Sequence, residues 1–245
     1  MNDKITQAAQ LIKNSKHTIV FTGAGISVES GVPPFRGKGG LWDKHDPMLF
    51  DIGYFKAHPD KSWALIKEIF FDTFGNAYPN DAHKCIAELE KKNYVKAVVT
   101  QNIDGLHQKA GSRKVYEFHG TCRTISCLMC KFPYDADKVS LEKLPPRCPQ
   151  CLGILRPDFV FFGEPIPRDV NVESFYEAQI SDVCIVIGST GEVMPACQVP
   201  IQAKSKGAKI IEINIAPSNF THTVTDIFLQ GKAGEIMPLI MNEMK

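Results

Sequence analysis

Short apolar runs separated by amphipathic stretches dominate the hydrophobic pattern of this chain. Residues 3–14 place apolar side chains at helical spacing and predict an opening amphipathic helix. Thr18–Thr22 is a β-branched apolar run that stops at Gly23, which is typical of a buried parallel strand before a tight turn. The same strand pattern recurs at Val95–Thr100, Val183–Ile187, Lys209–Asn214 and Ile227–Leu229. Because helical patterns such as 81–91 and 196–205 lie between these strands, we expect an α/β fold with a doubly wound parallel sheet.

Two stretches interrupt this alternation. Residues 31–59 are rich in Gly, Pro and aromatic side chains, and a helical pattern at Lys61–Phe74 follows them. An irregular connection of this length predicts a lid or binding loop, although a disordered segment has the same composition. Residues 122–154 contain too few apolar side chains for a core of their own, so we expect a bound metal to hold them together.

Composition and charge limit the function classes. The chain has 245 residues, of which 44% are hydrophobic, and no apolar run reaches the roughly 18 residues that a membrane span requires. With 28 Lys and Arg against 27 Asp and Glu, the net charge of +1 gives no electrostatic reason to bind nucleic acid or an anionic membrane. The cysteines outside the central group show no mutual pattern, which favours a reducing cytoplasm.

Four central cysteines carry the strongest local pattern. Cys127 and Cys130 form one CxxC pair, Cys148 and Cys151 form a second, and 17 residues lie between the pairs. Two such pairs at a separation of about 15 to 20 residues are typical of a tetrahedral zinc site. The alternatives are a pair of disulfides, or chance in a chain with 8 cysteines.

A glycine turn follows the first predicted strand. Gly23-Ala24-Gly25-Ile26-Ser27 stands between this strand and an expected helix, where exposed backbone N–H groups can cradle a phosphate. Val28 occupies the place of the third glycine of GxGxxG, and no acidic residue follows a second strand at the spacing of a dinucleotide fingerprint. A simple tight turn explains the same residues equally well.

Polar side chains follow the strand Val95–Thr100 at its carboxyl end, where open α/β sheets bind ligands. Gln101, Asn102 and Asp104 can hydrogen-bond ribose hydroxyls and a carboxamide. A capped turn accounts for the same residue types, because Asn and Asp favour helix starts. Two further strands also end in polar residues, at Gly188-Ser189-Thr190 and at Asn214, and these would lie along the same crevice. The common position of all these clusters is stronger evidence for a binding site than any single cluster.

His119 is the candidate general base. It follows the apparent strand Val115–Phe118, and a histidine at a strand end can exchange a proton near neutral pH. The chain has 7 histidines, most of which we expect to be surface or core residues. Position favours His119 over His107, which lies in a predicted helix. Arg156–Glu164 reads as a hydrophobic strand, which is either plain core or an edge that binds an extended peptide.

In these motifs and in their order, the chain resembles the sirtuins, the NAD-dependent protein deacylase family, over nearly its whole length. The motifs are Gly23-Ala-Gly-Ile-Ser27, Phe35-Arg36-Gly37, Gln101-Asn-Ile-Asp104, Phe118-His119-Gly120, the two CxxC pairs, Phe162-Gly163-Glu164, Gly188-Ser189, Asn214 and Gly231-Lys-Ala-Gly234. The resemblance implies a Rossmann-like NAD-binding domain at 1–120 and 155–245, with a lid insertion at about 31–80, and a zinc-binding module at 121–154.

The resemblance also implies an activity: lysine deacylation, with acetyl as the expected acyl group, giving nicotinamide, deacylated lysine and O-acyl-ADP-ribose. His119 would be the base, and Asn102 and Asp104 would position ribose, water and the carboxamide. The residues implied to bind NAD are Gly23, Ala24, Gly25, Ile26, Ser27, Phe35, Arg36, Gln101, Asn102, Ile103, Asp104, Gly188, Ser189, Thr190, Asn214 and Ala233. The acyl-lysine peptide would lie between two strands that supply Val160, Phe161, Phe162, Gly163 and Val193. One structural Zn²⁺ would be bound by Cys127, Cys130, Cys148 and Cys151.

Some positions depart from the family pattern. Pro34 stands where relatives usually carry Asp or Thr, and Thr190-Gly191-Glu192 replaces a more apolar stretch. The Tyr-x-x-Arg pair of sirtuins that prefer acidic acyl groups is absent from 63–69, where Lys67 reads as an exposed helical lysine.

Three alternative functions stay open at this point. Mono-ADP-ribosyl transfer from the same NAD site is the nearest, because both reactions pass through an activated ribosyl carbon. A zinc ribbon that binds nucleic acid is disfavoured by the balanced charges of 121–155. Hydride transfer is disfavoured by the incomplete dinucleotide fingerprint.

Overall fold

A computed structural model describes residues 2–35, 39–73, 75 and 77–245 of the chain. Its strands are β1 (Thr18–Thr22), β2 (Val95–Thr100), β3 (Val115–Glu117), β4 (Gly120–Cys127), β5 (Pro133–Asp135), β6 (Leu155–Phe159), β7 (Val183–Ile187), β8 (Lys209–Asn214) and β9 (Ile227–Gln230). Its α-helices are α1 (Asn2–Asn14), α2 (Ile52–Ala57), α3 (Pro59–Ile66), α4 (Asp81–Lys91), α5 (Leu106–Ala110), α6 (Arg168–Ile180), α7 (Gln198–Ser205) and α8 (Ala233–Glu243). Short 3₁₀ helices cover Ala24–Ser30, Leu41–Asp43, Pro47–Phe50 and Ala136–Lys138, and a π-helical segment covers Lys67–Thr73.

The larger sheet has the strand order β3-β2-β1-β7-β8-β9, and every neighbouring pair in it is parallel. Helices α1, α4 and α8 pack on one face and α6 and α7 on the other. The predicted Rossmann-like, doubly wound fold is therefore confirmed. Strand and helix boundaries agree with the predicted ones to within one or two residues in most elements.

The strands of this sheet are apolar because both faces are covered. Successive side chains of β1 alternate between the two cores, so Val20 packs with α1, α4 and α8 while Ile19 and Phe21 pack on the opposite side. All residues of β1 and β7 are buried. This two-sided burial produces the continuous apolar runs that made the strands recognisable in the sequence.

A smaller antiparallel sheet with the order β5-β4-β6 follows His119 in the chain. Its buried side chains do not form a core alone. Ile125 and Leu155 pack in one cluster with Phe55 and Trp63 of the helical insertion, and the Trp63 Nε1–H donates to the Leu155 carbonyl oxygen at 2.8 Å. The metal expected to hold residues 122–154 together is therefore not their only support, because the helical insertion supplies apolar surface as well.

The described residues of the connection 31–59 are partly helical. They contain two short 3₁₀ helices and α2, which bury Leu41, Phe50 and Phe55. The helix predicted at 61–74 is divided into α3 and the π-helical segment, and its last residue, Phe74, lies outside the described residues.

Two predicted strands are absent from the described structure. Strand β6 ends at Phe159, and Val160–Gly163 contains no regular strand, although Phe162 forms an isolated parallel bridge with Asp51. The stretch around Val193, which the resemblance implies to be the second strand, is also irregular. Val160, Phe161, Phe162 and Val193 line a cavity, and Gly163 adopts a left-handed φ angle of 85°, which no regular strand accommodates. None of the helices in the described part of the chain has the length and apolar character that a membrane-spanning segment needs.

The Trp63 contact yields a stability prediction. We expect Trp63→Phe to lower the free energy of unfolding by about 2 to 4 kcal/mol, because it leaves the buried Leu155 carbonyl unpaired and opens a cavity. Urea unfolding measures the change. Trp42→Phe is the matched control, since none of the described residues accepts a hydrogen bond from the Trp42 Nε1–H, and an equal loss in both variants would contradict the assignment.

Candidate active site

A cavity of about 1200 Å³ opens at the carboxyl ends of β1, β2, β7 and β8. Its size and its mixture of apolar surface with a few convergent polar groups suit a cofactor-sized ligand. Most of the predicted site residues line it, although they are widely separated along the chain. They are Gly23, Ala24, Gly25, Phe35, Gln101, Asn102, Ile103, His119, Val160, Phe161, Phe162, Gly163, Gly188, Ser189, Thr190, Val193, Asn214 and Ala233.

Three other predicted residues, Ile26, Ser27 and Asp104, do not line the cavity. Ile26 is completely buried in the core against α4 and α8. Ser27 and Asp104 stand behind the wall, where the Ser27 hydroxyl donates to Asp104 Oδ2 at 2.7 Å. Any effect of these three side chains on a ligand would therefore pass through their neighbours. Arg36 lies outside the described residues.

The glycine turn differs from the predicted phosphate cradle. The N–H of Gly23 donates to the Ile187 carbonyl oxygen at 3.0 Å, and the N–H of Gly25 donates to that of Gly188 at 2.9 Å. Both N–H groups are thus occupied within the protein. A Cβ at Gly25 would lie 2.6 Å from Gly188 Cα, and a Cβ at Gly23 would lie 2.8 Å from the Gly188 oxygen. The two glycines allow the loops after β1 and β7 to touch.

Polar side chains at the strand ends connect these loops. Gln101 Nε2 donates to Ser189 Oγ at 2.9 Å, and Asn214 Nδ2 donates to the Ser189 carbonyl oxygen at 3.1 Å. Asn102 Nδ2 lies 3.2 Å from both the Gly23 oxygen and Ser27 Oγ. The polar wall is therefore fixed by its own hydrogen bonds.

Asp104 is a carboxylate held behind Asn102. Burial raises the pKa of Asp104 above its ordinary value of 3.8, although the hydrogen bonds from the Leu106 N–H and the Ser27 hydroxyl act in the opposite direction. It does not reach the cavity surface. The arrangement suits a residue that orients Asn102 and Ser27.

His119 has the geometry of a general base. Its Nδ1 lies 3.1 Å from the carbonyl oxygen of Gln101, which can only accept, so Nδ1 carries the hydrogen and Nε2 keeps a free lone pair. Burial lowers the pKa of His119 below 6.5, against the opposite effect of this hydrogen bond. The imidazole is therefore neutral near pH 7 and able to accept a proton. His107, by contrast, is fully buried and bonds Thr22 Oγ1, away from the cavity.

Gly120 fixes the place of this histidine. Its φ is 73°, and a Cβ there would lie 2.2 Å from the Asp158 carbonyl oxygen. Only glycine allows the chain to turn from β3 into β4 against β6 at this point. On the far side, the N–H of Val160 donates to the His119 carbonyl oxygen at 2.8 Å. His119 thus stands at the junction of the two sheets.

The opposite wall is aromatic. Phe159 and Phe161 stack with ring centroids 4.4 Å apart, and Trp42, Phe50 and Phe70 extend this surface. Sequence reasoning missed Trp42, Phe50 and Phe70, because nothing in their local pattern distinguishes a cavity wall from a core.

Arg156 and Glu164 hold the Val160–Gly163 segment in place, and both were also missed as supporting residues. Arg156 Nη1 bonds Glu164 Oε1 at 2.5 Å, Arg156 Nη2 donates to the Phe159 carbonyl oxygen at 2.8 Å, and the Phe161 N–H donates to Glu164 Oε2 at 3.1 Å. The guanidinium also lies 4.7 Å from the centroid of the Phe161 ring. The irregular segment is therefore well anchored although it belongs to no strand.

The four cysteines Cys127, Cys130, Cys148 and Cys151 come together, with all four sulfur atoms within 4.8 Å of one another. Cys127 Sγ lies 3.4 Å from Cys151 Sγ, and Cys130 Sγ lies 3.7 Å from Cys148 Sγ. A zinc ion with bonds of about 2.3 Å places tetrahedral sulfurs roughly 3.8 Å apart, so this quartet fits one Zn²⁺. Four thiolates leave no open coordination position, which makes the site structural.

The chain is similar to known proteins over nearly its whole length. A model described as the Sir2 family matches residues 23–195. The chain is 46% identical over 241 residues to NAD-dependent protein deacylase 2 of Pyrobaculum aerophilum, with 97% of this chain and 94% of the relative covered. It is 45% identical over 244 residues to the NAD-dependent protein deacetylase of Caldivirga maquilingensis, with 98% and 93% covered.

Solved structures are similar over the same extent. A Sir2 protein with a deacetylated p53 peptide and 3'-O-acetyl ADP ribose has a TM-score of 0.92 at 35% identity, with 98% of each chain covered. Sir2Tm bound to a propionylated peptide has a TM-score of 0.89 at 33% identity, with 99% of this chain and 100% of that chain covered.

The cysteine quartet yields a prediction. We expect Cys148→Ala to reduce bound zinc from about one per chain to nearly none and to unfold β4–β6, because three ligands bind zinc weakly and the module folds with its metal. Elemental analysis measures the zinc, and limited proteolysis measures the unfolding. Cys85→Ala, outside the quartet, should keep both properties; a Cys148→Ala protein that retains one zinc would contradict the assignment.

Proposed function

This chain belongs to the Sir2 family, and we propose that it is an NAD-dependent protein lysine deacylase that produces nicotinamide, deacylated lysine and O-acyl-ADP-ribose. One observation carries the proposal for this chain. A neutral histidine, anchored through Nδ1, stands in a cavity with a polar wall on one side and an aromatic wall on the other. A polar wall suits a dinucleotide and an aromatic wall suits an acyl-lysine side chain.

We propose that the polar wall binds NAD. Gly188, Ser189, Thr190, Asn214 and Ala233 would hold its adenosine and phosphate portion, and Gln101 would hold its second ribose. The cosubstrate supplies a ribose carbon from which nicotinamide departs. Nicotinamide is cationic within NAD and leaves as a neutral molecule, so the site needs no strong acid. The proposed contribution of the protein is to hold this ribose in a largely dry, preorganised pocket.

His119 would act on a ribose hydroxyl after the acyl oxygen has attacked. Its Nε2 would accept the hydroxyl proton, while Nδ1–H remains bonded to Gln101 and stabilises the imidazolium that forms. Asn102 would orient ribose and water from the cavity surface, and Asp104 would support it from behind through Ser27.

The aromatic wall would receive the substrate. We propose that Val160–Gly163 lies on one side of the acyl-lysine peptide and Val193 on the other. Their backbones are not paired with each other in a strand, so a peptide can add as an extended segment between them. In solved structures, Sir2 proteins bind a p53 peptide and a propionylated peptide.

A short neutral acyl group such as acetyl fits this chain. Lys67, the residue of this region that could pair with an acidic acyl group, forms an ion pair with Asp72 at 2.7 Å and does not line the cavity. Trp63 is completely buried and turns away from the cavity. We therefore propose acetyl-lysine over succinyl-lysine as the substrate.

Three further assignments accompany the function. The NAD-binding domain would comprise 1–120 and 155–245 with the lid insertion at about 31–80, and the zinc module would comprise 121–154. We propose a reducing cytoplasm as the compartment, because all eight cysteines are free of disulfides. Mono-ADP-ribosyl transfer is the second candidate function, because the same NAD site would activate the ribose for both reactions.

Replacing the proposed base tests the mechanism. We expect His119→Ala to lower kcat for an acetylated peptide at least about 100-fold, because the variant lacks the imidazole that would take the ribose proton. Calorimetry should show NAD binding within about threefold of wild type. With labelled NAD, wild type should form O-acyl-ADP-ribose, whereas label on protein would favour ADP-ribosyl transfer. Activity above a few per cent of wild type in the variant would refute the base assignment.

The acid limb of the pH profile provides an independent test. The base must be neutral, and burial lowers its pKa, so kcat/KM should stay on its plateau as the pH falls through 6.5 and decline only below that value. Measurement between about pH 5 and 8 covers the range where histidine titrates. A decline centred above 6.5 would contradict a buried neutral base.

A further inference from the structure

Glu212 is a completely buried carboxylate in the middle of β8. It faces the side of the sheet on which Phe21 and Phe220 pack, among otherwise apolar strand residues. No lysine, arginine or histidine among the described residues forms an ion pair with it. An isolated buried carboxylate is costly and persists only where donors satisfy it.

Hydroxyl groups supply those donors. Glu212 Oε1 accepts from Ser218 Oγ at 2.5 Å, both oxygens accept from Thr221 Oγ1 at 3.0 and 2.9 Å, and Oε2 accepts from Thr225 Oγ1 at 2.7 Å. Ser218 Oγ itself accepts from the Phe220 N–H, and Thr221 Oγ1 accepts from the Ser218 N–H. The hydroxyl hydrogens are therefore free to point at the carboxylate. We call Glu212 with Ser218, Thr221 and Thr225 the hydroxyl cage.

The three hydroxyl residues of the cage lie in the connection 215–226 between β8 and β9. This connection forms part of the cavity wall through Ile215, Ala216, Pro217 and Ser218. Ser218 therefore belongs both to the wall and to the cage. Polar loop residues would otherwise be free to move, because the connection contains no regular helix or strand. Hydrogen bonds to the Glu212 carboxylate hold these loop residues in one conformation.

The connection also supports the neighbouring loop. The Asn219 N–H donates to the Thr190 carbonyl oxygen at 3.0 Å, and a Cβ at Gly191 would lie 3.0 Å from the Phe220 ring. Ser189, which precedes Thr190, accepts from Gln101. A continuous series of contacts thus joins the cage to the polar wall.

We propose that Glu212 is a positioning residue for NAD: its carboxylate fixes the connection 215–226, which in turn holds the 188–191 loop in the conformation that binds the cosubstrate. The inference rests on the proposed function. A preformed wall binds without the cost of ordering a loop, so loss of the cage weakens NAD binding. His119 keeps its own anchor on Gln101, and the acyl-lysine wall keeps Arg156 and Glu164, so the chemical step is preserved.

Two substitutions that preserve the shape of the side chain test the cage, one at the carboxylate and one at a hydroxyl donor. Glu212→Gln replaces an acceptor oxygen with a donor nitrogen, and Thr221→Val removes the hydroxyl that bridges both carboxylate oxygens. We expect each to raise KM for NAD and the Kd for ADP-ribose at least about fivefold, with kcat and KM for an acetylated peptide within about twofold of wild type. Thr221→Ser retains the hydroxyl and should stay within about twofold in all four constants.

Glu177→Gln is the matched control. Glu177 is also a buried carboxylate, 1% exposed, but it bonds His17 and Lys114 and does not line the cavity. We expect it to lose stability on urea unfolding without a change in KM for NAD. This control separates loss of the wall from general destabilisation, which a structural role alone would produce.

The outcomes distinguish this inference from the function on which it rests. An unchanged KM for NAD and an unchanged Kd for ADP-ribose in both Glu212→Gln and Thr221→Val would overturn the inference. A loss of both kcat and NAD affinity that also occurs in Glu177→Gln would overturn it as well. If Glu212→Gln fails to fold, the comparison of Thr221→Val with Thr221→Ser decides. If wild type forms no O-acyl-ADP-ribose, the proposed function fails, and calorimetry with ADP-ribose still measures the effect of the cage.

Discussion

The arrangement of the cavity depends on the close contact between the loops that follow β1 and β7. These strands are neighbours in the sheet, and the chain order reverses between them, which is where an open α/β sheet leaves a crevice. Backbone touches backbone at Gly23, Gly25 and Gly188, at separations that exclude any Cβ. The two loops therefore meet as one surface, and the polar ends of β2 and β8 close around it. A larger residue at the contact would separate the loops and with them the two halves of the polar wall.

The position of His119 follows from a second constraint, the sharp turn at Gly120. Strand β3 of the parallel sheet ends at Glu117 and β4 of the antiparallel sheet begins at Gly120, so His119 lies in the two-residue connection between the sheets. Its Nδ1 is bonded to the strand-end residue Gln101, and its carbonyl oxygen is bonded to Val160 of the opposite wall. One residue thus joins the wall proposed for the nucleotide to the wall proposed for the substrate.

The sequence predicts those features of the fold and site that depend on residues close together in the chain. Parallel strands such as β1 and β7 are buried on both faces, which leaves apolar runs, and ligand residues collect at their carboxyl ends. The sequence leaves a phosphate cradle and a tight turn equally open at Gly23 and Gly25, because the partners of their N–H groups, Ile187 and Gly188, are distant in sequence. The prediction of a strand through Val160–Gly163 was wrong for a different reason: an apolar run has the same sequence pattern whether its side chains face a core or a cavity.

Long-range pairing also concealed the supporting residues. Trp63 bonds Leu155 across 92 positions, so the core shared by the helical insertion and the small sheet left no local pattern. Glu212 sits in a run that otherwise predicts a strand correctly, and its donors, in a polar loop, resemble ordinary turn residues. A charged residue inside an apolar strand was the available signal, and it has meaning only once the hydroxyl groups around it are located.

A zinc ion bound by the four cysteines would influence the cavity, because β4 and β6 connect the cysteines to the residues beside His119. At one end of this pair, Cys127 lies opposite Leu155; at the other end, Gly120 lies opposite Phe159. The register shifts between Thr121 and Ile125, and Asp158 accepts hydrogen bonds from Thr124 and Ser126 across the irregularity. A metal that fixes the cysteine end therefore fixes the register of both strands, and the register fixes the turn beside His119. A fully coordinated ion that performs no chemistry can in this way be required for chemistry at the other end of the pair.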